Sequence, residues 1–164
     1  EIVDKQLAQK AEFIWIGQNS WGKKNDESVQ ELLSNYNFTN IDIILEPILN
    51  RDQIATYLNS AHLFLFSSLS EGMPVSVLEA LACGLAVFTS NCGGVDEIIT
   101  EQNGKIYQIK DHQTLANLII DFTNQSHSYD ADSISKTILE KYGETAFRKK
   151  LLTYYMQVEN SRVI

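Results

Sequence analysis

Cysteine and histidine are scarce in this sequence, and basic residues are outnumbered by acidic ones. The two cysteines among 164 residues, Cys83 and Cys92, form no Cys-x-x-Cys pair and no Cys/His cluster of metal spacing. That argues against a structural zinc site and leaves two reduced thiols of a cytosolic protein, with Cys83 packed inside a helix. The histidines, His62, His112 and His127, are scattered, and no Ser-His-Asp or Cys-His order stands out around them. No apolar run approaches the roughly 18 residues of a membrane span, and no signal-peptide pattern opens the sequence. Lys and Arg number 13 against 21 Asp and Glu, a formal net charge of −8. Such a surface repels nucleic acid and anionic lipid, so neither is an expected partner. A phosphate-bearing ligand would need local donors. A full G-x-G-x-x-G is missing, which removes support for a dinucleotide fingerprint. With no Tyr-x-x-x-Lys pair either, an epimerase-type nucleotide enzyme is disfavoured.

What is present suits one soluble domain with a sizeable core, since 44% of residues are hydrophobic and 21% charged. FIWIG (13–17), IDIIL (41–45), LFLFS (63–67), LAVFT (85–89) and KIYQI (105–109) are continuous apolar runs of strand length. Runs of this kind suit strands buried on both faces. Helical patterns lie between and after them, at about 26–35, 51–60, 74–83, 95–100 and 112–124, with Asn50 and Asp111 as N-caps. The alternation predicts an α/β fold, a doubly wound parallel sheet with helices on both faces. IVDKQLAQ reads as a helix leading into the first strand, so a preceding strand and its loop are expected to be missing. After residue 125 the strands stop; QSHSYD is a polar link to two extra C-terminal helices, about 132–141 and 144–158. The expected organisation is a single domain over 1–164, with an α/β core at 1–125 and helices in 126–164.

The densest stretch is SSLSEGMPVSVLEALACGLAVFTSNCGGVDEII, residues 67–99. In open parallel sheets, ligands sit beyond the carboxyl ends of the strands. Glu71 and Gly72 follow one such strand end, and Pro74 suits the first helical position. The amides near Val75 and Ser76 are then orphan donors at the positive end of the helix dipole, an anion site suited to phosphate. Val75, Leu78 and Ala82 share a stripe, edged by Glu79, whose carboxylate would need hydrogen-bond donors; vicinal sugar hydroxyls would serve. The rise from Pro74 to Glu79 is about 7–8 Å, near the span of a diphosphate with a sugar at either end. Two glutamates alone at this spacing are better read otherwise, Glu79 as paired with a lysine or merely a surface residue and Glu71 as favouring the helix N-terminus. The strand end, Gly-x-Pro turn, apolar helix and second glycine turn reverse that preference. At that second turn, Gly93 and Gly94 fit a tight turn or a ligand contact equally well. Gly17, in the loop GQNSWGKKN, could let backbone approach a ligand, and Leu49 could meet a base or simply pack. Lys23 and Lys24 fit a solvated loop better than a phosphate site.

These residues resemble the sugar-nucleotide-binding half of retaining glycosyltransferases with the GT-B fold, the large group 1 family. The resemblance rests on the E-x7-E pair, the EA-x-A-x-G helix, the GG-x-x-E turn and NGKIYQIKD, with FIWIG and residues 46–68 in register. It covers residues 1–125 clearly and implies a Rossmann-like donor-binding domain. In such a domain Glu71 would contact and align the donor sugar as the catalytic carboxylate. Gly72, Met73, Pro74, Val75 and Ser76 would meet sugar and phosphates, Glu79 the ribose, and Leu49 the base, with Gly17 beside the ligand. The implied reaction transfers a sugar from a nucleotide-diphosphate sugar, such as a UDP-sugar, with retention and without a metal. It would serve polysaccharide or glycoconjugate biosynthesis in the cytoplasm, with any membrane contact made through missing parts. Pro74 departs from the glycine of many members and offers no amide. The strand and loop that usually bring an Arg and a Lys to the diphosphate are not in the chain, nor is the N-terminal acceptor-binding half. The resemblance therefore implies a chain inactive by itself. A non-catalytic sugar-nucleotide-binding or partner-stabilising module is the alternative.

Overall fold

The computed structural model describes residues 1–18, 23–47, 49–124 and 129–161. In chain order the elements are α1 (Ile2–Gln6), β1 (Ala11–Gln18), α2 (Lys23–Ser34), β2 (Ile41–Pro47), α3 (Arg51–Ser60) and β3 (Leu63–Phe66). They continue with α4 (Val75–Ala82), β4 (Ala86–Ser90), β5 (Gly104–Tyr107), α5 (His112–Asn124), α6 (Ala131–Tyr142) and α7 (Glu144–Ser161). All strand pairs are parallel, as continuous apolar runs separated by helices require, and helices lie on both sides of the sheets. The strands form a two-stranded sheet, β1-β2, and a three-stranded sheet, β3-β4-β5.

The chain divides into two compact units, Glu1–Tyr57 with Lys110–Ser128, and Leu58–Ile109 with Tyr129–Ile164. In the first, α1 packs on α5 and β1 pairs with β2. Asp4 of α1 is buried, and its carboxylate Oδ1 accepts the amides of Thr39 (2.8 Å) and Asn40 (2.6 Å). The Asn40 side-chain amide donates back to the Asp4 carbonyl at 2.9 Å, and the Asn40 carbonyl takes the Ala11 amide where β1 begins. This short helix thereby fixes the start of the β1-β2 ladder.

Hydrogen bonds from the Asn40 and Thr39 amides hold the Asp4 carboxyl below its usual pKa, against the opposing effect of desolvation. A depressed carboxylate contributes stability above the unfolded-state value of about 3.9, and that stability is lost as pH falls through the lower folded value. Asp4→Asn should therefore melt several degrees below the native chain at pH 7, with the gap closing as both are acidified below pH 4. Thermal unfolding across pH 2.5–7 checks this; a gap independent of pH would remove the charge from the explanation.

In the second unit α4 packs on β3, β4 and α6, and α6 packs on α7. Val77, Ala80 and Leu81 of α4 are fully buried, and every residue of β4 is buried. The expectation of strands covered on both faces holds for β4 but not for β1, where Ile14 and Trp15 stay exposed. β4 is the middle strand of its sheet with α4 against it, whereas β1 pairs with β2 alone. Beyond Ala146, every residue of α7 through Glu159 is exposed, including Phe147, Leu151, Tyr154, Tyr155 and Val158.

Both expected N-caps are present. Asn50 and Gln53 exchange side-chain-to-amide hydrogen bonds at 2.9 and 3.0 Å, a capping box on α3. Asp111 accepts the Thr114 amide (2.9 Å) and hydroxyl (2.6 Å), which lower its pKa. The helix expected at 95–100 is instead a single turn, with the amides of Ile98 and Ile99 on the Val95 carbonyl. Buried Asn103 closes it by donating to the Ile98 carbonyl (3.0 Å) and accepting the Thr100 amide (2.7 Å). Its side chain takes the backbone groups that a continuing helix would have used. Residues 19–22 of the expected loop, 125–128 of the expected link including His127, and the side chains of Lys23 and Lys24 lie outside the described residues.

Candidate functional site

The site grows from the carboxyl end of β3. Its last carbonyl, on Phe66, accepts the hydroxyl of buried Tyr107 at 3.2 Å, and burial pushes that phenol's pKa up. The Ser68 carbonyl accepts the Ser90 hydroxyl at 2.6 Å, and Ser90, at the end of β4, is 1% exposed. The Glu71 amide donates to the Cys92 carbonyl at 2.7 Å. Two bonds thus hold the loop after β3 against the end of β4 and Cys92 just beyond it, and a third ties the end of β3 itself to β5.

The glycine pair resolves toward packing. A Cβ on Gly93 would stand 2.6 Å from the Glu71 carbonyl oxygen, and one on Gly94 would overlap the Gly72 carbonyl. Gly94 also has φ +65°, the left-handed region. The turn 93–94 is therefore the surface on which residues 71–73 rest. Gly72 differs, because a Cβ there would meet nothing within 4 Å. The fold gives no steric reason for glycine at 72; the space above it is open.

Pro74 is the N-cap of α4, not its first helical residue as the sequence predicts. Its ring is buried, its backbone is extended (φ −73°, ψ 109°), and its carbonyl takes the amides of Val77 (3.2 Å) and Leu78 (3.4 Å). Proline has no side-chain acceptor to cap the first turn. Among the described residues, the amides of Gly72, Met73, Val75 and Ser76 find no acceptor within the protein. These donors lie at and just before the positive end of α4. The helix ends as expected at Gly84. Its amide donates to the Leu81 carbonyl (2.9 Å) and that of Leu85 to the Ala80 carbonyl (3.0 Å), a Schellman motif.

The stripe expected along α4 is displaced. Val77, Ala80 and Leu81 face the core, whereas Val75 is 63% exposed and Leu78 and Ala82 are half-buried. Glu79 stands one turn after Val75 on the exposed side, so its carboxylate is hydrated and no desolvation has to be offset. The apolar choice at 78 and 82 hides this, because the register is set by which side meets β3, β4 and α6. Among the described residues the Glu79 carboxylate has no hydrogen bond or ion pair, so pairing with a lysine is not realised. Its charge, after burial, helps push the Cys83 thiol's pKa up.

Glu71 is exposed, and its Oε1 accepts the Ser68 hydroxyl at 2.9 Å. From sequence alone Ser68 has no assigned role, since a serine and a glutamate three apart carry no distinctive signal. Glu71, Gly72, Met73, Pro74, Val75, Ser76 and Glu79 all lie on this loop and helix of the second unit. Gly17 and Leu49 belong to the first. Gly17, φ +118°, sits at the register shift between Ile16 and Gln18, and half-buried Leu49 precedes the cap of α3. Among the described residues, no group of three or more His, Cys, Asp or Glu could hold a metal ion. No described helix is long and apolar enough to cross a membrane.

Comparison with known proteins agrees with the resemblance carried by residues 67–99. An N-acetylgalactosaminyltransferase of Campylobacter jejuni, acting on N,N'-diacetylbacillosaminyl-diphospho-undecaprenol, is 28% identical over 151 residues, 83% of this chain and 38% of its own. Among solved structures, sucrose-phosphate synthase from Thermosynechococcus elongatus superposes with TM-score 0.77 at 17% identity, over 98% of this chain and 41% of that one. Anabaena HepE in complex with UDP gives 0.68 at 19% identity, over 95% and 44%. These superpositions establish the Rossmann-like α/β fold of GT-B proteins. The chain spans about a third of the length of the curated relatives it matches. Residues 1–139 match the family described as glycosyl transferases group 1, and the chain belongs to that family.

Proposed function

We propose that this chain is the donor-binding domain of a glycosyltransferase, joined in its parent protein to an acceptor-binding half. It would move a sugar from a nucleotide-diphosphate sugar, such as a UDP-sugar, with retention of configuration and without a metal. The observation that carries this is the set of four amides, on Gly72, Met73, Val75 and Ser76, that have no acceptor among the described residues and lie in sequence between two exposed carboxylates. A diphosphate fits the donors, and hydroxyl groups fit the carboxylates. Open space above Gly72 leaves room for the ligand. As the glycosidic bond breaks, negative charge grows on the diphosphate, where fixed amides stabilise it without reorganising. Glu71 would hold and align the donor sugar while Glu79 takes the ribose. The complex of HepE with UDP on a similar fold supports a nucleotide ligand. The exposed apolar face of α7 is suited to cover by the acceptor half.

Titration calorimetry with UDP, GDP and ADP and their glucose conjugates tests the reading. One nucleotide should bind, and Glu79→Ala should weaken it about ten-fold, the loss of charge-assisted hydrogen bonds. Glu71→Ala should act on the sugar conjugate and lower turnover in the full-length enzyme on the order of 100-fold, through misalignment. Binding unaffected by either change would sink the assignment. Binding without transfer in the full-length protein would instead identify a non-catalytic module.

A further inference from the structure

We infer that Ser68 is a positioning residue for Glu71, orienting its carboxylate toward the donor sugar; this rests on the donor-site reading above. An exposed glutamate normally samples several rotamers, and ordering it on binding costs conformational entropy. Glu71 is already restrained. Its amide is held by the Cys92 carbonyl, its own carbonyl lies against Gly93, and its Oε1 receives the Ser68 hydroxyl at 2.9 Å. Ser68 is itself anchored, because its carbonyl accepts the hydroxyl of buried Ser90 at 2.6 Å. The chain of contacts therefore runs from the end of β4, through Ser68, to one oxygen of the carboxylate. Among the described residues the other oxygen, Oε2, has no hydrogen-bond partner, so it is fully open to accept a hydroxyl. Fixing one oxygen before the ligand arrives reduces the ordering cost at binding and selects a direction for the second.

A purely structural Ser68, stapling the loop 68–71, would act differently. It would disturb the helix amides and Glu71 together, and weaken a bare diphosphate as much as its sugar conjugate. The experiment separates the two roles. The affinities of UDP, GDP and ADP and of their glucose conjugates are measured by calorimetry for the native chain, Ser68→Ala, Ser68→Thr, Glu71→Ala and the double variant. For the nucleotide that binds, the ratio of conjugate to diphosphate affinity should fall about five-fold in Ser68→Ala, the loss of one exposed hydrogen bond to a charged group. It should recover in Ser68→Thr, which keeps the hydroxyl. In the Glu71→Ala background Ser68→Ala should cause no further fall. A ratio unchanged by Ser68→Ala but lowered by Glu71→Ala overturns the role of Ser68 and leaves the donor site standing. Equal losses for diphosphate and conjugate, persisting without Glu71, overturn it in favour of a staple. No binding in the full-length protein, or a ratio indifferent to Glu71→Ala, defeats the donor-site reading and this inference with it.

Discussion

Gly94→Ala is expected to displace the Glu71 loop, lower the melting temperature and reduce nucleotide-sugar binding more than ten-fold. At φ +65° an alanine costs about 1–2 kcal/mol in conformation alone. The larger effect is steric, because the new Cβ would overlap the Gly72 carbonyl. That neighbour is backbone, so no rotamer change relieves the overlap, and the turn 93–94 has to move away from residues 71–73. The bond from the Glu71 amide to the Cys92 carbonyl lies across the same gap. Its rupture can be read without any ligand, as faster hydrogen exchange at the Glu71 amide. Gly72→Ala is the matched control for the fold, since its Cβ meets nothing within 4 Å, and its melting temperature should stay near the native value. Native exchange at Glu71 in Gly94→Ala would show that the loop does not rest on the turn.

Leu81→Ala should cost about 2–5 kcal/mol, the usual range for a buried leucine truncated in a packed core. Leu81 is fully buried on the side of α4 that carries Val77 and Ala80. A loss of that size is a large part of the 5–15 kcal/mol that stabilises most domains, approximately. Val75→Ala, on the opposite and exposed side, should change stability by about 0.5 kcal/mol or less. Urea unfolding followed by circular dichroism compares the two. Equal costs would mean that α4 is turned differently, and that Glu79 does not share an open face with the free amides.

Much of the fold is legible in the sequence for local reasons. Continuous apolar runs marked the strands β1 to β5, Asn50 and Asp111 marked helix starts through bonds spanning three residues, and Gly84 marked a helix end. The turn at 95–99 was not legible. Asp96 and Glu97 read as a helix start, while the buried side chain that ends the helix, Asn103, lies further along the chain. The rotation of α4 was also hidden. Its apolar residues occupy most of its circumference, so periodicity alone could not choose between 75–78–82 and 77–80–81.

By itself, then, the sequence determined the parallel α/β class, the position of the loop and helix carrying Glu71 and Glu79, and the orphan amides at the start of that helix. Each depends on residue type and short-range spacing. Only the tertiary structure decided that Gly93 and Gly94 support the loop, that Ser90 and Ser68 lead to the Glu71 carboxylate, and that Glu79 faces water. Those facts depend on which backbone lies within a few ångströms across strand ends some 20 residues apart. Close approach of that kind leaves no periodic mark in a single chain.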